Sequence, residues 1–122
     1  MTAQAFHTAV KSIEGLPQAS TMTLAGRVTL DEASAARDEI LGWLASTDAE
    51  HIVMELSGVE KMDTSGAAVL AEALRVGRDR GLRILLCSPS ESVLQIFRLA
   101  GFEEVLRSCC ADPEETYRRL TS

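Results

Sequence analysis

Two neighbouring hydroxyl side chains follow an acidic residue in the segment Asp63-Thr64-Ser65-Gly66. A helical pattern begins at about Thr64, directly after this acid. In the simplest interpretation Asp63 or Thr64 is an N-cap, which contributes about 1 kcal/mol by accepting a hydrogen bond from a free N–H group. Two hydroxyls exceed what capping requires. The segment is therefore a candidate for chemistry as well as for capping.

The chemistry that suits this segment is phosphorylation. A phosphate on Thr64 or Ser65 would lie at a helix N-terminus, where free N–H groups and the helix dipole favour negative charge. Small residues, Gly66 to Ala68, keep the first turn low enough for another protein to approach. Charge and bulk added there would disturb such an interface. We therefore expect a binding surface that is controlled by phosphorylation.

Common catalytic and metal-binding signatures are absent from the sequence. It has no Walker-type phosphate loop, no dinucleotide-binding glycine pattern and no nucleophile elbow. His7 and His51 lie far from Cys87, Cys109 and Cys110, so no zinc spacing is formed. We expect no enzyme activity, no metal and no cofactor. Binding of a small molecule or nucleotide remains an alternative, because a fold does not determine function. The one place suited to hold its phosphates is the helix N-terminus at Thr64.

A different interpretation assigns redox sensing to Cys109 and Cys110. Such cysteines need an exposed position and a lowered pKa, and the nearby Arg107 could lower the pKa of a thiol. The odd cysteine count and the adjacent pair do not form a disulfide framework.

Length and charge exclude several classes of function. The chain has 122 residues, enough for one domain over residues 1–122, and a net charge of −6. Nucleic-acid and anionic-lipid surfaces need clustered Lys and Arg, and no such cluster exists. No apolar stretch approaches the roughly 20 residues that cross a bilayer, and the start lacks a signal-peptide pattern. We expect a cytoplasmic protein that binds no nucleic acid and does not insert into a membrane.

Hydrophobic spacing and capping residues predict the order β-β-α-β-α-β-α-β-α. Alternation of strands and helices indicates an α/β fold with a mixed, mostly parallel sheet, to which an opening hairpin adds antiparallel pairing. Predicted strands cover residues 5–14, 20–28, 52–56, 82–87 and 104–107. Predicted helices begin at the Thr29–Glu32 capping box, at Thr64, at Ser88 with Pro89 as its first residue, and at Asp112; the second ends before Gly81 and the third before Gly101.

Residues 51–66, which contain the Asp-Thr-Ser-Gly segment, resemble the central signature of STAS domains, in particular bacterial anti-sigma-factor antagonists. Residues 24–26, 81–89 and 96–102 match further blocks, and the resemblance covers residues 6–120. It implies a small mixed sheet with helices packed mainly on one side.

The resemblance also implies a partner switch. In this family the unphosphorylated antagonist binds an anti-sigma factor that is also an ATPase-type protein kinase, and so frees a sigma factor. The kinase phosphorylates the hydroxyl residue after the Asp, which is Thr64 here with Ser65 as the second candidate, and a phosphatase reverses the change. The implied partner-binding residues are Gly26 and the loop after it with Arg27 and Thr29, then Met62, Asp63, Thr64, Ser65, Gly66 and Ala67.

Two features depart from the antagonist pattern. Antagonists commonly carry acidic residues at the positions of Arg27 and Thr29, and their acceptor is more often Ser. STAS domains also occur as subunits of bacterial phospholipid transporters of the Mla type, where a Thr after the Asp is common. The alternative function is therefore binding to the ATPase subunit of such an ABC transporter, or to another signalling complex.

Overall fold

One five-stranded mixed sheet organises the protein, whose structure is a computed structural model that describes residues 6–122. The strand order is β1-β2-β3-β4-β5; β1 pairs antiparallel with β2, and every later pairing is parallel. The elements are β1 His7–Ser12, β2 Ala19–Val28, α1 Leu30–Ser46, β3 His51–Met62, α2 Thr64–Asp79, β4 Arg83–Cys87, α3 Glu91–Ala100, α4 Glu103–Arg107, β5 Cys109–Cys110 and α5 Pro113–Thr121.

The main core lies between one face of the sheet and the helices α1 to α4. Alternate side chains of the central strands point to this face, because successive residues of a strand face opposite sides. Val93 and Phe97 of α3 and Val105 of α4 join the same core. The strand and first-helix side chains that form it include Met22, Leu24, Ile52, Met54, Leu86, Ala36, Ile40 and Leu44.

The opposite face of the sheet is covered in part by α5. Thr116 and Tyr117 of this helix border a groove of about 250 Å³ whose floor includes Val53 and Cys87. Within residues 6–122, four helices lie on one face of the sheet and one on the other, which confirms the predicted architecture, a mostly parallel sheet with helices packed mainly on one side.

The predicted last strand was wrong. Residues 104–107 belong to the helix α4, and the final strand is the two-residue β5. Phe102, Val105, Leu106 and Cys109 recur at helical spacing and all pack on the core, with Val105 fully buried. This helical spacing explains why residues 103–107 form a helix. The strand β5 has two residues, too few to show an alternating pattern in the sequence.

The predicted start of the third helix was also wrong. The N-cap of α3 is Ser90, whose hydroxyl accepts from the Val93 N–H at 3.2 Å. Ser88 still belongs to the sheet edge, because its N–H donates to the Cys110 carbonyl at 2.9 Å. Pro89 therefore precedes the cap and is not the first helical residue.

Other predicted boundaries agree more closely. Gly81 and Gly101 follow α2 and α3 with φ of 77° and 72°, the left-handed conformation that glycine adopts most readily. β3 is longer than predicted, because its second half continues to pair with β2 past a bulge. The predicted first strand began at residue 5, outside the described residues, and β1 ends at Ser12.

None of the helices within residues 6–122 has the length and apolar content to span a membrane.

Gly66 allows the start of α2 to lie directly against the end of β2. A Cβ atom on Gly66 would come within 2.1 Å of the Val28 carbonyl oxygen, which is backbone and cannot turn away. Gly66→Ala should therefore lower the free energy of unfolding by about 2 kcal/mol or more. Urea denaturation measures this change.

Gly42→Ala is the matched control. Gly42 lies inside α1, and a Cβ there would meet nothing within 4 Å. Alanine has the higher helix propensity, so this variant should gain about 0.5–1 kcal/mol. An equal loss in both variants would contradict the close approach at Gly66.

Candidate functional site

Two strands and two helices meet at one edge of the sheet. Val28 at the end of β2 pairs with Met62 at the end of β3, and because these strands are parallel they finish at the same edge. α1 begins two residues after Val28, and α2 begins two residues after Met62. The N-termini of both helices therefore lie side by side.

Asp63 holds these two helix starts together. Its Oδ1 accepts from the N–H groups of Ser65 at 2.9 Å and Gly66 at 3.1 Å, which caps α2. Its Oδ2 accepts from the N–H of Leu30, the first residue of α1, at 3.0 Å. The sequence predicted the cap, and the structure confirms it. The bond to Leu30 was missed, because no local pattern announces a contact 33 residues away.

Burial divides the residues that the family resemblance assigned to a partner surface. Thr64 is exposed at the first position of α2, while Arg27, Asp63 and Ser65 are half-buried. The others are buried and present little surface: Gly26, Thr29, Met62, Gly66 and Ala67.

The loop expected after Gly26 is not a loop. Gly26 and Arg27 lie inside β2, which continues to Val28, and the register with β3 shifts between them. Gly26 has φ of 87°, which glycine tolerates without strain. Thr29 then serves as the N-cap of α1. The buried members of the set shape the site from below, and its surface is formed by fewer residues than expected.

Leu30 is a surface residue of this site that the sequence analysis missed. Its side chain is 72% exposed, although its backbone N–H is bound to Asp63. Leu30 lies three residues before Ala33 and continues the apolar stripe of α1, so the pattern alone predicts burial. The exposed Leu30 and Thr64 place an apolar side chain and a hydroxyl side chain on the surface of this site.

The charged residues of the site include Arg27, Glu32 and Asp63. The Glu32 carboxylate accepts from the Thr29 hydroxyl at 2.6 Å and from the Thr29 N–H at 3.1 Å. The pKa of Glu32 lies below its ordinary value. The hydrogen bond from the Thr29 hydroxyl is the largest cause, the bond from the Thr29 N–H is the second, and the positive charge of Arg27 lowers the pKa by a smaller amount. Arg27 Nε lies 4.0 Å from this carboxylate.

The cysteines lie away from this edge and are protected. Cys87 and Cys110 are buried, and the half-buried Cys109 thiol donates to the Val105 carbonyl at 3.3 Å. Burial raises the pKa of Cys109 to about 11 and that of Cys87 above its ordinary value. Since the thiolate is the reactive form, raised pKa values argue against the redox-sensing interpretation.

Residues 6–122 contain no group of three His, Cys, Asp or Glu side chains arranged to hold a metal ion.

The family of the chain follows from a match to the model described as "Mlab, STAS domain", which covers residues 12–108. The chain therefore belongs to the STAS domain family.

Solved structures share its fold at low sequence identity. The anti-sigma factor antagonist SpoIIAA in its unphosphorylated form is 19% identical with a TM-score of 0.69, covering 96% of both chains. SpoIIAA described as a Bacillus cell fate determinant in the phosphorylated form is also 19% identical, with a TM-score of 0.65 over 95% of this chain and 99% of that one. A sulfate transporter family protein from Wolinella succinogenes is 15% identical with a TM-score of 0.74, covering 87% of both chains. At these identities the likeness concerns the fold.

Asp63→Ala should cost more than the loss of an ordinary helix cap. Three N–H groups from two helices lose their acceptor, so the free energy of unfolding should fall by about 2–4 kcal/mol. Asp112→Ala, at the N-cap of α5, removes an acceptor for one N–H, that of Glu115, and should cost about 1 kcal/mol. Urea denaturation of both variants compares them, and equal losses would mean that the two further hydrogen bonds of Asp63, one to Leu30 and one within α2, contribute nothing.

Proposed function

We propose that this protein is a non-catalytic regulatory module, an anti-sigma-factor antagonist whose binding to an ATPase-type kinase and anti-sigma factor is switched by phosphorylation of Thr64. The observation that carries the proposal is the exposed position of Thr64, a hydroxyl residue, at a helix start where Asp63 already caps the N–H groups of Ser65 and Gly66. Membership of the STAS family and the fold shared with SpoIIAA, known in unphosphorylated and phosphorylated forms, support it.

Thr64 is favoured over Ser65 as the acceptor because it is the more exposed of the two. In the proposed reaction Thr64 Oγ1 attacks the γ-phosphorus of ATP held by the kinase, ADP leaves, and the hydroxyl proton passes to a base of the kinase. A phosphatase hydrolyses the ester with water and restores the hydroxyl and inorganic phosphate. The antagonist supplies only the hydroxyl, so it needs no catalytic residue of its own.

Phosphorylation at this position would change the surface without removing the support beneath it. Asp63 already occupies the N–H groups of Ser65 and Gly66, so a phosphate on Thr64 would stand beside a carboxylate instead of replacing it. A phosphate adds about −1.5 to −2 charge, which is costly to bury in an interface without a cation opposite. The fold is retained, and the interface is lost.

Leu30 fits the role of anchor for the unphosphorylated form. Leu30 is 72% exposed, and covering an apolar side chain with a partner stabilises the complex in proportion to the apolar area removed from water. Ala68, one turn after Thr64, is also exposed and leaves room for the partner to approach. We place the protein in the cytoplasm, where kinase, ATP and sigma factor are found together, without a nucleic-acid or membrane partner.

Thr64→Ala should keep partner binding and lose phosphorylation, whereas Thr64→Glu should weaken binding by about tenfold or more, since it adds a fixed negative charge. The wild-type protein and both variants serve as baits in host lysate, and calorimetry with the recovered partner then gives their affinities. Recovery of a kinase-like ATPase by wild type and its loss with Thr64→Glu supports the switch.

Three results would contradict or redirect this proposal. Equal partner affinity of the two Thr64 variants contradicts the switch. Recovery of ABC-transporter subunits in place of a kinase replaces the function by the transporter alternative. Loss of phosphorylation in Ser65→Ala, but not in Thr64→Ala, moves the acceptor by one residue.

Leu30→Ala should reduce affinity for the same partner by about tenfold, the effect expected for one buried anchor. Leu99→Ala is a matched control, because Leu99 is equally exposed at 72% but lies on α3. Calorimetry with the purified partner measures both. If Leu99→Ala weakens binding and Leu30→Ala does not, the proposed partner surface is on the wrong part of the molecule.

A further inference from the structure

Arg27 is a cation at the site that lacks a firm partner. Its side chain is 35% exposed, and its Nε lies 4.0 Å from Glu32 Oε1, at the limit of an ion pair. The Nε atom is buried and has no hydrogen-bond partner among residues 6–122. A buried donor without an acceptor costs free energy, so an acceptor that reached it would be held.

Glu32 does not depend on Arg27. Its carboxylate already accepts two hydrogen bonds from Thr29, the hydroxyl at 2.6 Å and the N–H at 3.1 Å. A partly exposed ion pair at 4.0 Å contributes little to stability. The guanidinium can therefore move to another anion without leaving a carboxylate unsatisfied.

The backbone that carries Arg27 lies against the backbone that carries Thr64. Val28, next to Arg27, pairs with Met62. The Val28 carbonyl is in close contact with Gly66, and the Leu30 N–H binds Asp63. Thr64 thus stands at the edge of the sheet that Arg27 borders. Arginine has a long side chain and a planar fork of donors that matches phosphate oxygens.

We propose that Arg27 is the intramolecular partner of a phosphate on Thr64. When the phosphate ester forms, the Arg27 guanidinium moves away from Glu32 and binds the phosphoryl oxygens. This inference rests on the proposed function in taking Thr64 as the acceptor. One modification then changes two parts of the surface, because it adds the phosphate and withdraws a cation that was available to the partner. The phosphate is also fixed in one orientation, beside the helix start.

A phosphate on Thr64 would have four charged residues on the adjoining strand ends and helix starts. Arg27 and Lys61, which are neighbours in the register of β2 and β3, favour its doubly charged form. Glu32 and Asp63 oppose that form. The second ionisation of the phosphate therefore reports whether the guanidinium has moved to it, because a cation in contact lowers this pKa and a distant cation does not.

The experiment uses the full chain with phosphothreonine incorporated at position 64 during translation. Phosphorus-31 NMR follows the second ionisation of the phosphate as the pH is varied, in the protein with Arg27 and in Arg27→Gln. The expected result is a pKa higher by about 0.5–1 unit in Arg27→Gln, the shift produced by removing one close charge in a partly exposed site.

Arg37→Gln is the control for net charge. Arg37 lies farther along α1 and binds Glu72 at 2.7 Å, so its removal should leave the phosphate pKa unchanged. Arg27→Lys keeps the charge and should restore most of the lowering, which separates a direct contact from damage to the fold. An equal pKa in wild type and Arg27→Gln, or an equal rise in Arg37→Gln, overturns the proposal.

Failure of this inference is distinguishable from failure of the proposed function, because the titration needs no partner. If Arg27→Gln raises the phosphate pKa while Thr64→Glu leaves partner affinity unchanged, the contact between Arg27 and the phosphate is supported and the partner switch is contradicted. If the pKa is unchanged while Thr64→Glu still abolishes binding, the switch stands and the phosphate is held without Arg27.

Discussion

The carboxylate of Asp63 is the constraint on which the site depends. Its two oxygens accept three backbone N–H groups that come from the starts of two helices, α1 and α2. The first N–H groups of a helix have no partner within the helix, so each helix start needs acceptors from elsewhere. One side chain meets part of this need for both helices, and in doing so it fixes their starts relative to each other. The exposed positions of Thr64 and Leu30 follow from that arrangement.

The cap that Asp63 provides at the start of α2 affects how a phosphate on Thr64 could be bound. A bare helix N-terminus attracts anions, but here Asp63 has already taken the nearest N–H groups of α2. The unphosphorylated surface is therefore compact, and a phosphate on Thr64 would meet a carboxylate before it met a free donor. For the phosphate to be held, a cation must be supplied from outside the helix. Arg27 is suited to this task because Glu32 is already bound by Thr29.

The sequence predicted several parts of this structure that depend on neighbours in the chain, although α4, whose helical spacing is also local, was predicted as a strand. The Asp63 cap, the glycine after α2 and the period of the core helices each involve residues within a few positions of one another. The bond from Asp63 to Leu30 spans 33 residues and leaves no such trace. Likewise Ser90 replaced Ser88 as the N-cap because Ser88 pairs with Cys110, a contact from another strand.

Burial at the site was the least predictable property. Met62 and Ala67 belong to a signature that suggests a surface, yet their exposed fractions are 6% and 0%. Leu30 belongs to an apolar stripe that suggests a core, yet it is largely exposed. Met62 and Ala67 lie on the buried sides of β3 and α2, whereas Leu30 is the first residue of α1 and lies at the exposed start of that helix. A signature therefore identifies the edge, and the structure is needed to say which of its residues a partner can touch.

The fold alone does not decide which partner that is. At under 25% identity the chain shares its fold with an anti-sigma factor antagonist and with a sulfate transporter family protein. Residues buried at the edge, such as Gly66 and Met62, maintain the architecture and cannot discriminate between partners directly. Discrimination must come from side chains that reach solvent there, namely Thr64, Leu30 and the partly exposed Arg27. Arg27 stands where antagonists commonly carry an acidic residue. A partner of an acidic antagonist would present a cation at that point. A partner adapted to this chain should instead present a hydrogen-bond acceptor or an acidic group there.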